Sequence, residues 1–325
     1  MVTLTDRHVG RRRWLERLPV HDQQRNVAII WGLLGLLVIV ASILSPHFLS
    51  LFNLNNIVNQ SAALLLVSLG QTFVLLTAGI DLSVGSTISV VVTVLALTVR
   101  ADPLSIVLAV PIALAAGAVV GLGNGLLITR LRIPPFMVTL AMLSIGQGIA
   151  YQLRTTPPGV LPREYSPMFL GEIGPIPIPI LLIAGTTLAA GLTLRHTRFG
   201  RHVYAVGSSE AVTRLSGMST DRIKLAVYVL SGLMAGLAGA FIAARSRAGD
   251  PLIGQPFAFD SITAAVLGGV SLFGGRGSVY GVVAAVFIIA ILSNLLNLLG
   301  ISSHYQYILK GGLLIVAVML YYRRS

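Results

Sequence analysis

Long apolar runs, separated by short polar or glycine-rich stretches, make up most of this chain. A helix needs about 20 apolar residues to cross the hydrocarbon core of a bilayer, and ten runs come close to that length or exceed it. They lie at about residues 27–45, 56–78, 82–99, 103–128, 135–153, 176–194, 223–244, 258–273, 278–298 and 306–322. This pattern predicts an all-α integral membrane protein with about ten transmembrane helices.

The composition supports the same class of protein. Of 325 residues, 55% are hydrophobic and 10% are charged, whereas soluble domains carry about 25% charged residues. The net charge of +12 could indicate nucleic-acid binding, but the arginines lie between apolar runs and do not form one basic face. The chain has no cysteine, which excludes disulfides and thiolate metal sites.

The basic residues predict the orientation of the chain. With ten spans and both termini in the cytoplasm, most arginines fall on the cytoplasmic side, as the positive-inside rule requires. Residues 1–26 then form a basic cytoplasmic tail, and residues 27–325 form a single transmembrane domain. The first run is longer than the apolar part of a signal peptide, so we expect a retained span. Lys310 lies inside the last span, whereas Asp260 falls on the outer side and balances outer arginines such as Arg154.

Two predicted connections are longer than the others. The outer one, at about residues 154–175, is rich in proline and glycine and is predicted to lie irregularly along the membrane surface. The inner one, at about residues 195–222, contains a short helical pattern at about residues 208–217. There, apolar residues recur at i, i+4 and i+7, serines precede them as candidate caps, and a glycine follows. The residues of this pattern are Ser208, Ser209, Glu210, Ala211, Arg214, Leu215, Gly217 and Met218.

This short helix has two interpretations. It could rest on the membrane surface, or it could dock onto a cytoplasmic partner. The opposite charges of Glu210 and Arg214 suit a protein groove better than lipid headgroups, and they favour docking.

One acid, Asp81, lies among glycines and hydroxyls between two apolar runs, in the stretch GIDLSVGS. At the centre of a spanning helix an acid costs about 2.5–3.5 kcal/mol. Gly79 can instead end the preceding helix, and Asp81 can accept hydrogen bonds from the amide of Ser83 or Val84 at the start of the next. The same interruption could lie beside a water-filled pathway, because irregular backbone at membrane depth needs protein or water around it.

Uncharged amides and hydroxyls inside the spans are the groups that suit a neutral, polyhydroxylated solute. Each of them alone is more often a contact between helices. The residues predicted to line the pathway or its gate are Gln71, Thr72, Gly79, Asp81, Ser83, Gly85, Asn124 and Gln147.

Glycines show two further patterns. Small residues at helical spacing allow close helix packing, as at Gly117/Gly121 and Gly232/Gly236. In addition, Gly79 and Gly85 flank IDLSV much as Gly275 and Gly281 flank RGSVY. Transporters commonly carry such paired interruptions in corresponding halves.

Several motifs of enzymes are missing from the sequence. There is no G-x-x-x-x-G-K-[ST] phosphate loop and no H-E-x-x-H, and no nucleophile–base–acid pattern is visible. We therefore expect a chain that is not an enzyme and that binds neither a metal nor a cofactor.

Five segments, in this order, resemble the membrane permease of ribose-type bacterial ABC sugar importers. They are TAGIDLSVGS, IPPFMVTLAMLSIGQGIAY, FGRHVYAVGSSEAVTRLSG, AAVLGGVSLFGGRGS and LLNLLGISSHYQYILKG. The resemblance covers about residues 46–320 and leaves out the basic N-terminal tail.

The resemblance implies a mechanism and a location. Two permease chains form the pathway, two cytoplasmic ATPase subunits bind the ATP and drive it, and an extracytoplasmic binding protein delivers the sugar. The chain would lie in the bacterial cell (inner) membrane, with its coupling helix at about residues 208–217 and with GIDLSVGS shaping or gating the pathway. One departure from the general importer pattern E-A-A-x-x-x-G concerns the coupling helix, because Val212 follows Glu210-Ala211 and Gly217 comes one residue late.

Other functions compete with this expectation. Related permeases import branched-chain amino acids or a furanosyl signalling molecule, so these substrates are alternatives to a ribose-like sugar. An ion-coupled secondary transporter would need a coupling group, for which Asp81 is the main candidate inside the spans. A structural scaffold would show no ligand-dependent flux.

Overall fold

The protein is seen in a computed structural model that describes residues 19–153 and 160–322. Each of the ten predicted runs corresponds to one helix, and shorter elements occupy the two long connections. In chain order the elements are α1 (Pro19–Leu44), α2 (Leu51–Leu76), α3 (Val84–Thr98), α4 (Pro103–Arg130), α5 (Pro135–Leu153), a 3₁₀ turn (Arg163–Tyr165), α6 (Pro167–Leu170), β1 (Glu172–Ile173), β2 (Ile176–Pro177), α7 (Ile178–His196), α8 (Arg198–Ser208), α9 (Glu210–Leu215), α10 (Thr220–Ser246), α11 (Gln255–Leu267), α12 (Val279–Leu298) and α13 (Ser303–Tyr322).

Within the described residues, seven helices are long and apolar enough to cross a membrane: α1, α2, α4, α5, α7, α10 and α12. Helix α3 is apolar but has only 15 residues, and α11 has 13. The chain is therefore an all-α, multi-pass membrane protein, as the sequence predicts. The count of ten spans and the side on which each terminus lies stay predictions, and most of the basic tail (residues 1–18) lies outside the described residues.

Local sequence explains where several helices begin. Ser50 caps α2 by accepting a hydrogen bond from the backbone N–H of Asn53 at 3.3 Å. Asp102 caps α4 through the N–H of Ser105 at 2.9 Å, and a proline takes the next position, where a missing N–H costs nothing. The sequence thus fixes helix starts by ordinary capping chemistry.

Helices α2 and α10 lie at the centre of the bundle, where most of their residues are buried. Helix α10 packs closely on α4, because a Cβ at Gly117 would overlap the Gly232 carbonyl oxygen and one at Gly236 would overlap that of Ala113. The predicted close packing of these small residues is confirmed for this helix pair.

The outer connection is more ordered than its sequence suggests. Its described part contains the 3₁₀ turn, α6 and an antiparallel pairing of β1 with β2. The Tyr165 hydroxyl donates to the Ala240 carbonyl at 3.0 Å, and the Ser166 hydroxyl donates to that of Ala244 at 2.8 Å. The prediction of an irregular segment was wrong here, because these hydroxyls anchor it to the C-terminal end of α10. Residues 154–159, with Arg154, lie outside the described residues.

The opposite end of the bundle is rich in arginine. The C-terminal ends of α2, α4 and α7, the N-terminal ends of α10 and α12, and helices α8 and α9 all lie there. Lys310 takes a different position, because its Nζ lies 2.6 Å from Asp260 Oδ2 and joins α13 to α11. Asp260 thus lies within α11 and is neutralised by a cation from a neighbouring helix, and its placement on the outer side stays a prediction.

Candidate functional site

The chain is interrupted between α2 and α3 at residues 77–83, which we call the first break. Helix α2 ends at Leu76, and Ala78, within the break, has a left-handed conformation at φ 59°. At Gly79 an added Cβ would lie 2.5 Å from the Tyr228 hydroxyl oxygen of α10. Glycine is needed there because the backbone of the break passes directly against that hydroxyl.

Asp81 is buried in the first break, with 1% of its surface exposed. Its Oδ1 accepts hydrogen bonds from the Ser83 backbone N–H at 3.0 Å and the Ser83 hydroxyl at 2.6 Å. Its Oδ2 accepts one from the Ser231 hydroxyl of α10 at 2.8 Å. The predicted bond to the Ser83 amide is confirmed, and the carboxylate also ties the break to the central helix.

Neutral polar groups surround this carboxylate. Asn124 of α4 donates from Nδ2 to the Ser83 hydroxyl at 2.7 Å. With its amide oriented to satisfy both groups, Gln71 of α2 donates to the Asp81 carbonyl at 3.0 Å and accepts from the Asp81 N–H at 3.2 Å. We call Gln71, Asp81, Ser83, Asn124 and Ser231 the Asp81 cluster. It joins three helices and the break without any cation among its members.

The remaining pathway candidates take no part in the hydrogen bonds of the Asp81 cluster. Gly85 packs against the start of α11, because its added Cβ would lie 2.9 Å from the carbonyl oxygen of Gly254, just before that helix, and 3.3 Å from Ala258 Cβ within it. The Thr72 hydroxyl donates within its own helix, to the Ser68 carbonyl at 2.7 Å. Gln147 of α5 donates to the Pro251 carbonyl at 2.9 Å and is separate from the cluster. The structure therefore brings four of the eight candidates together through hydrogen bonds, and their role in a pathway stays a prediction.

The short helix of the inner connection is present as α9, within the predicted residues 208–217. Ser209 caps it by accepting from the N–H of Val212 at 3.3 Å. Ser208 is not a cap, because it is the last residue of α8 and its hydroxyl donates to the Tyr204 carbonyl at 2.9 Å. Gly217 follows the helix in a left-handed conformation, at φ 81°, as predicted for its end. We call residues 209–217 the docking helix.

Ion pairs fix the docking helix to the start of α10. Arg214 Nη2 lies 3.1 Å from Glu210 Oε1 and 2.8 Å from Asp221 Oδ1, and Lys224 pairs with Glu210 Oε2. Partial burial acts to raise the pKa of Glu210, but the hydrogen bonds and charges of Lys224 and Arg214 together hold that pKa below its ordinary value. The carboxylate is thus charged and bound at neutral pH.

Apolar side chains of this helix remain exposed. Leu215 has 89% of its surface exposed and Val212 has 61%. Ala211 is also exposed, and Met218 is half-buried. A short helix that is held by ion pairs while its apolar side chains face outward is suited to bind a partner.

Backbone contacts connect the end of α8, two residues before the docking helix, to the end of α2, one residue before the first break. They pass through the turns between α11 and α12, residues 268–278, which we call the second break. The N–H of Gly275 donates to the carbonyl of Leu76, the last residue of α2, at 3.0 Å. A Cβ at Gly207, near the end of α8, would overlap that same carbonyl oxygen. Leu76, Gly207 and Gly275 form what we call the junction, which sequence reasoning missed because its contacts join three distant segments through backbone.

Comparison with known proteins gives one family and several relatives. Residues 53–318 match the family described as branched-chain amino acid transport system / permease component. The ribose import permease protein of Escherichia coli (strain K12) is 37% identical over 322 residues, which cover 98% of each chain. The ribose import permease protein of Bacillus subtilis (strain 168) is 39% identical over 298 residues, 90% of this chain and 91% of its own.

A further relative carries a different sugar in its name. The D-allose transport system permease protein of Escherichia coli (strain K12) is 33% identical over 306 residues, 91% of this chain and 93% of its own. No solved structure matches the chain.

Proposed function

This chain belongs to the family of ribose-type ABC import permeases, and we propose that it forms the membrane pathway of an ATP-driven importer for a monosaccharide. The relatives are named for ribose and D-allose. Both are neutral sugars with several hydroxyl groups, which pair well with uncharged amides and hydroxyls. The Asp81 cluster offers such groups around its carboxylate at a break in the bundle, and this supports a neutral sugar over an anionic solute.

The observation that carries the proposal is the continuous connection from the docking helix to the first break. The docking helix presents Val212 and Leu215 to a partner. Gly207 lies two residues before the start of the docking helix and packs against the carbonyl of Leu76, the last residue of α2 before the break. Because packed backbone moves as a rigid body, a shift of the docking helix is passed to the break.

The partners follow from this arrangement. Two ATPase subunits bind the docking helices of two permease chains and supply the ATP site, and an extracytoplasmic binding protein delivers the sugar. The chain lies in the cell (inner) membrane with ten crossing helices, and its arginine-rich end and both termini face the cytoplasm. No cofactor is bound by the permease itself.

The first break acts as the gate in this proposal. Asp81 binds Ser231 of α10, and Asn124 of α4 binds Ser83, so the break is held shut against two helices. Opening requires these hydrogen bonds to be exchanged for bonds to water or to sugar hydroxyls. Hydrogen bonds of equal kind on both sides keep the net cost of that exchange small.

The test is uptake of radiolabelled ribose into vesicles that hold the complex co-purified with the affinity-tagged chain. We expect uptake to require internal ATP and external binding protein. Arg214→Ala releases Glu210 and Asp221, and it should lower uptake at least several-fold. The matched control is Arg201→Ala, since Arg201 is exposed on α8 and makes no described ion pair.

Two outcomes would contradict the proposal. One is uptake that continues without any ATPase subunit or that a proton or sodium gradient drives without ATP. The other is a complex that imports leucine and no monosaccharide, which would place the chain with amino acid permeases of the same family.

A further inference from the structure

A basic pocket lies beside the docking helix, at the arginine-rich end of the bundle. Its volume is about 310 Å³, which is room for roughly ten water molecules. Arg130, Arg214 and Arg222 line it, together with Asp221, Met218 and two hydroxyl residues. Arg130 is the last residue of α4, and Arg222 lies in the first turn of α10.

The charges in this pocket are unbalanced. Asp221 is its one acid and already binds Arg214 at 2.8 Å. Arg130 and Arg222 are exposed and form no ion pair with any described residue. Two cations are therefore left without a counter-charge in the same small space, and the pocket is complementary to a carboxylate.

The position of the pocket indicates where that carboxylate comes from. One wall is formed by Arg214 and Met218 at the end of the docking helix, close to the exposed Leu215. A protein that covers the docking helix also covers the mouth of the pocket. Met218 is the only apolar lining residue, so the pocket offers no channel for the acyl chain of a lipid.

We infer that this pocket receives one or two acidic side chains of the ATPase subunit, beside the surface that the docking helix itself presents. The inference rests on the proposed function. Arg130 and Arg222 belong to α4 and α10, whose backbones are in contact through Gly121 and Gly125. The acid therefore anchors the ATPase to the rigid α4–α10 pair as well as to the docking helix, and two attachment points resist rotation of the partner about the helix.

The chain allows a direct test, because Lys224 and Lys310 are its only lysines. We would make Arg130→Lys and Arg222→Lys, purify each with the ATPase subunit that co-purifies with the tagged wild-type chain, and treat the complexes with a carbodiimide. This reagent joins a lysine amine to a carboxylate only when the two are in contact. Arg201→Lys, on α8 outside the pocket, is the matched control.

We expect both pocket variants to become linked to an Asp or Glu of the ATPase subunit, identified by mass spectrometry, and Arg201→Lys to stay unlinked. As a second measurement, the double reversal Arg130→Glu/Arg222→Glu should weaken binding of the ATPase subunit roughly ten-fold at low salt, and less at high salt.

The inference is overturned if complexes that still couple ATP hydrolysis to uptake give no link from either pocket lysine and bind the ATPase normally after reversal. It is equally overturned if the reversal only removes a dependence of activity on anionic phospholipid, which would identify a headgroup site. Failure of the proposed function looks different, because then the wild-type chain captures no ATPase subunit and shows no ATP-dependent uptake.

Discussion

The two breaks in the helical bundle occupy similar places and are built in opposite ways. Each one precedes an apolar helix, α3 or α12, and each is followed by a glycine packed on backbone, Gly85 against Gly254 and Gly281 against Gly268. Most residues of the first break are buried, and the side chains of the Asp81 cluster hold it. The second contains three glycines at positive φ and an exposed Arg276, and it contacts α8 through backbone.

This difference suggests how a break between two helices can have two different roles in one protein. Side-chain hydrogen bonds can be exchanged for bonds to solute or water, and in the proposed function the first break opens by such an exchange. The second break packs on α8 through the backbone of Gly274 and Gly275 and through the Tyr204 hydroxyl, which donates to the Gly277 carbonyl at 2.9 Å, so we propose that it passes movement from α8 to Leu76. In the proposed function, the first break is a polar gate and the second break is a rigid link.

The largest expected effect comes from removing the acid of the first break. Asp81→Leu leaves the Ser83 amide and the hydroxyls of Ser83 and Ser231 without their acceptor. Buried donors left unpaired cost about 1–3 kcal/mol each, so we expect a loss of about 3 kcal/mol or more in the free energy of unfolding. Thermal unfolding in detergent, followed by size-exclusion chromatography, measures it.

Two variants sharpen that measurement. Asp81→Asn keeps one acceptor oxygen and should lose clearly less stability than Asp81→Leu. Asp102→Asn, at an exposed helix cap, serves as the matched control for loss of one carboxylate charge. Equal stability of Asp81→Leu and the wild type would show that the Asp81 cluster does not hold the first break.

An intermediate effect is expected at the junction. Gly207→Ala places a methyl group against the Leu76 carbonyl and the Gly275 N–H, and such overpacking costs about 1–3 kcal/mol. Because the strain falls on the link, we expect uptake to drop more than ATP hydrolysis, measured in the same vesicles. Gly148→Ala on α5 is the control, since no atom lies within 4 Å of its added Cβ. A parallel decrease of both activities would argue against a coupling role for the junction.

The smallest effect is expected at the docking helix itself. Glu210→Gln weakens partly exposed ion pairs and should change stability by less than about 1 kcal/mol. Since the pKa of Glu210 is lowered on folding from its ordinary 4.5, its ion pairs stabilise the helix above that pH and are lost as the pH falls through the lowered pKa.

Spin-label mobility can follow this pH dependence, because the chain has no cysteine and Leu215→Cys would give a unique attachment point. We expect mobility at position 215 to rise below about pH 4.5 in the wild-type background. In Glu210→Gln it should already be higher at neutral pH and should vary less. Identical pH profiles in the two backgrounds would rule out Glu210 as the anchor of the helix.

Sequence patterns predicted those features that depend on neighbouring residues. The ten apolar runs match ten helices, and the bond from Asp81 to the Ser83 amide and the glycine end of the docking helix follow from short-range capping rules. Long-range pairings were not predictable in this way. Ser231 lies 150 residues from Asp81, and one hydroxyl inside an apolar run gives no signal of its partner.

The same limit explains the errors. The ion pair of Asp260 with Lys310 was not predicted, because the sequence does not reveal that α11 begins at Gln255 and that Lys310 faces it. Ser208 was an equal candidate for the cap because two adjacent serines satisfy the same local rule. The positive φ of Gly274 and Gly275 had a weak signal in the repeated glycines of FGGRGS, but nothing in that stretch names Leu76.

A junction made of peptide groups alone has a consequence for how such proteins diversify. Backbone amide and carbonyl groups do not depend on the side chain, so the contacts of the junction do not depend on which solute is transported. Substitutions that adapt the pathway to a different solute leave the junction unchanged. The same junction can then serve permeases for many sugars. New specificities arise by substitutions in the residues that line the pathway, while the junction stays unchanged.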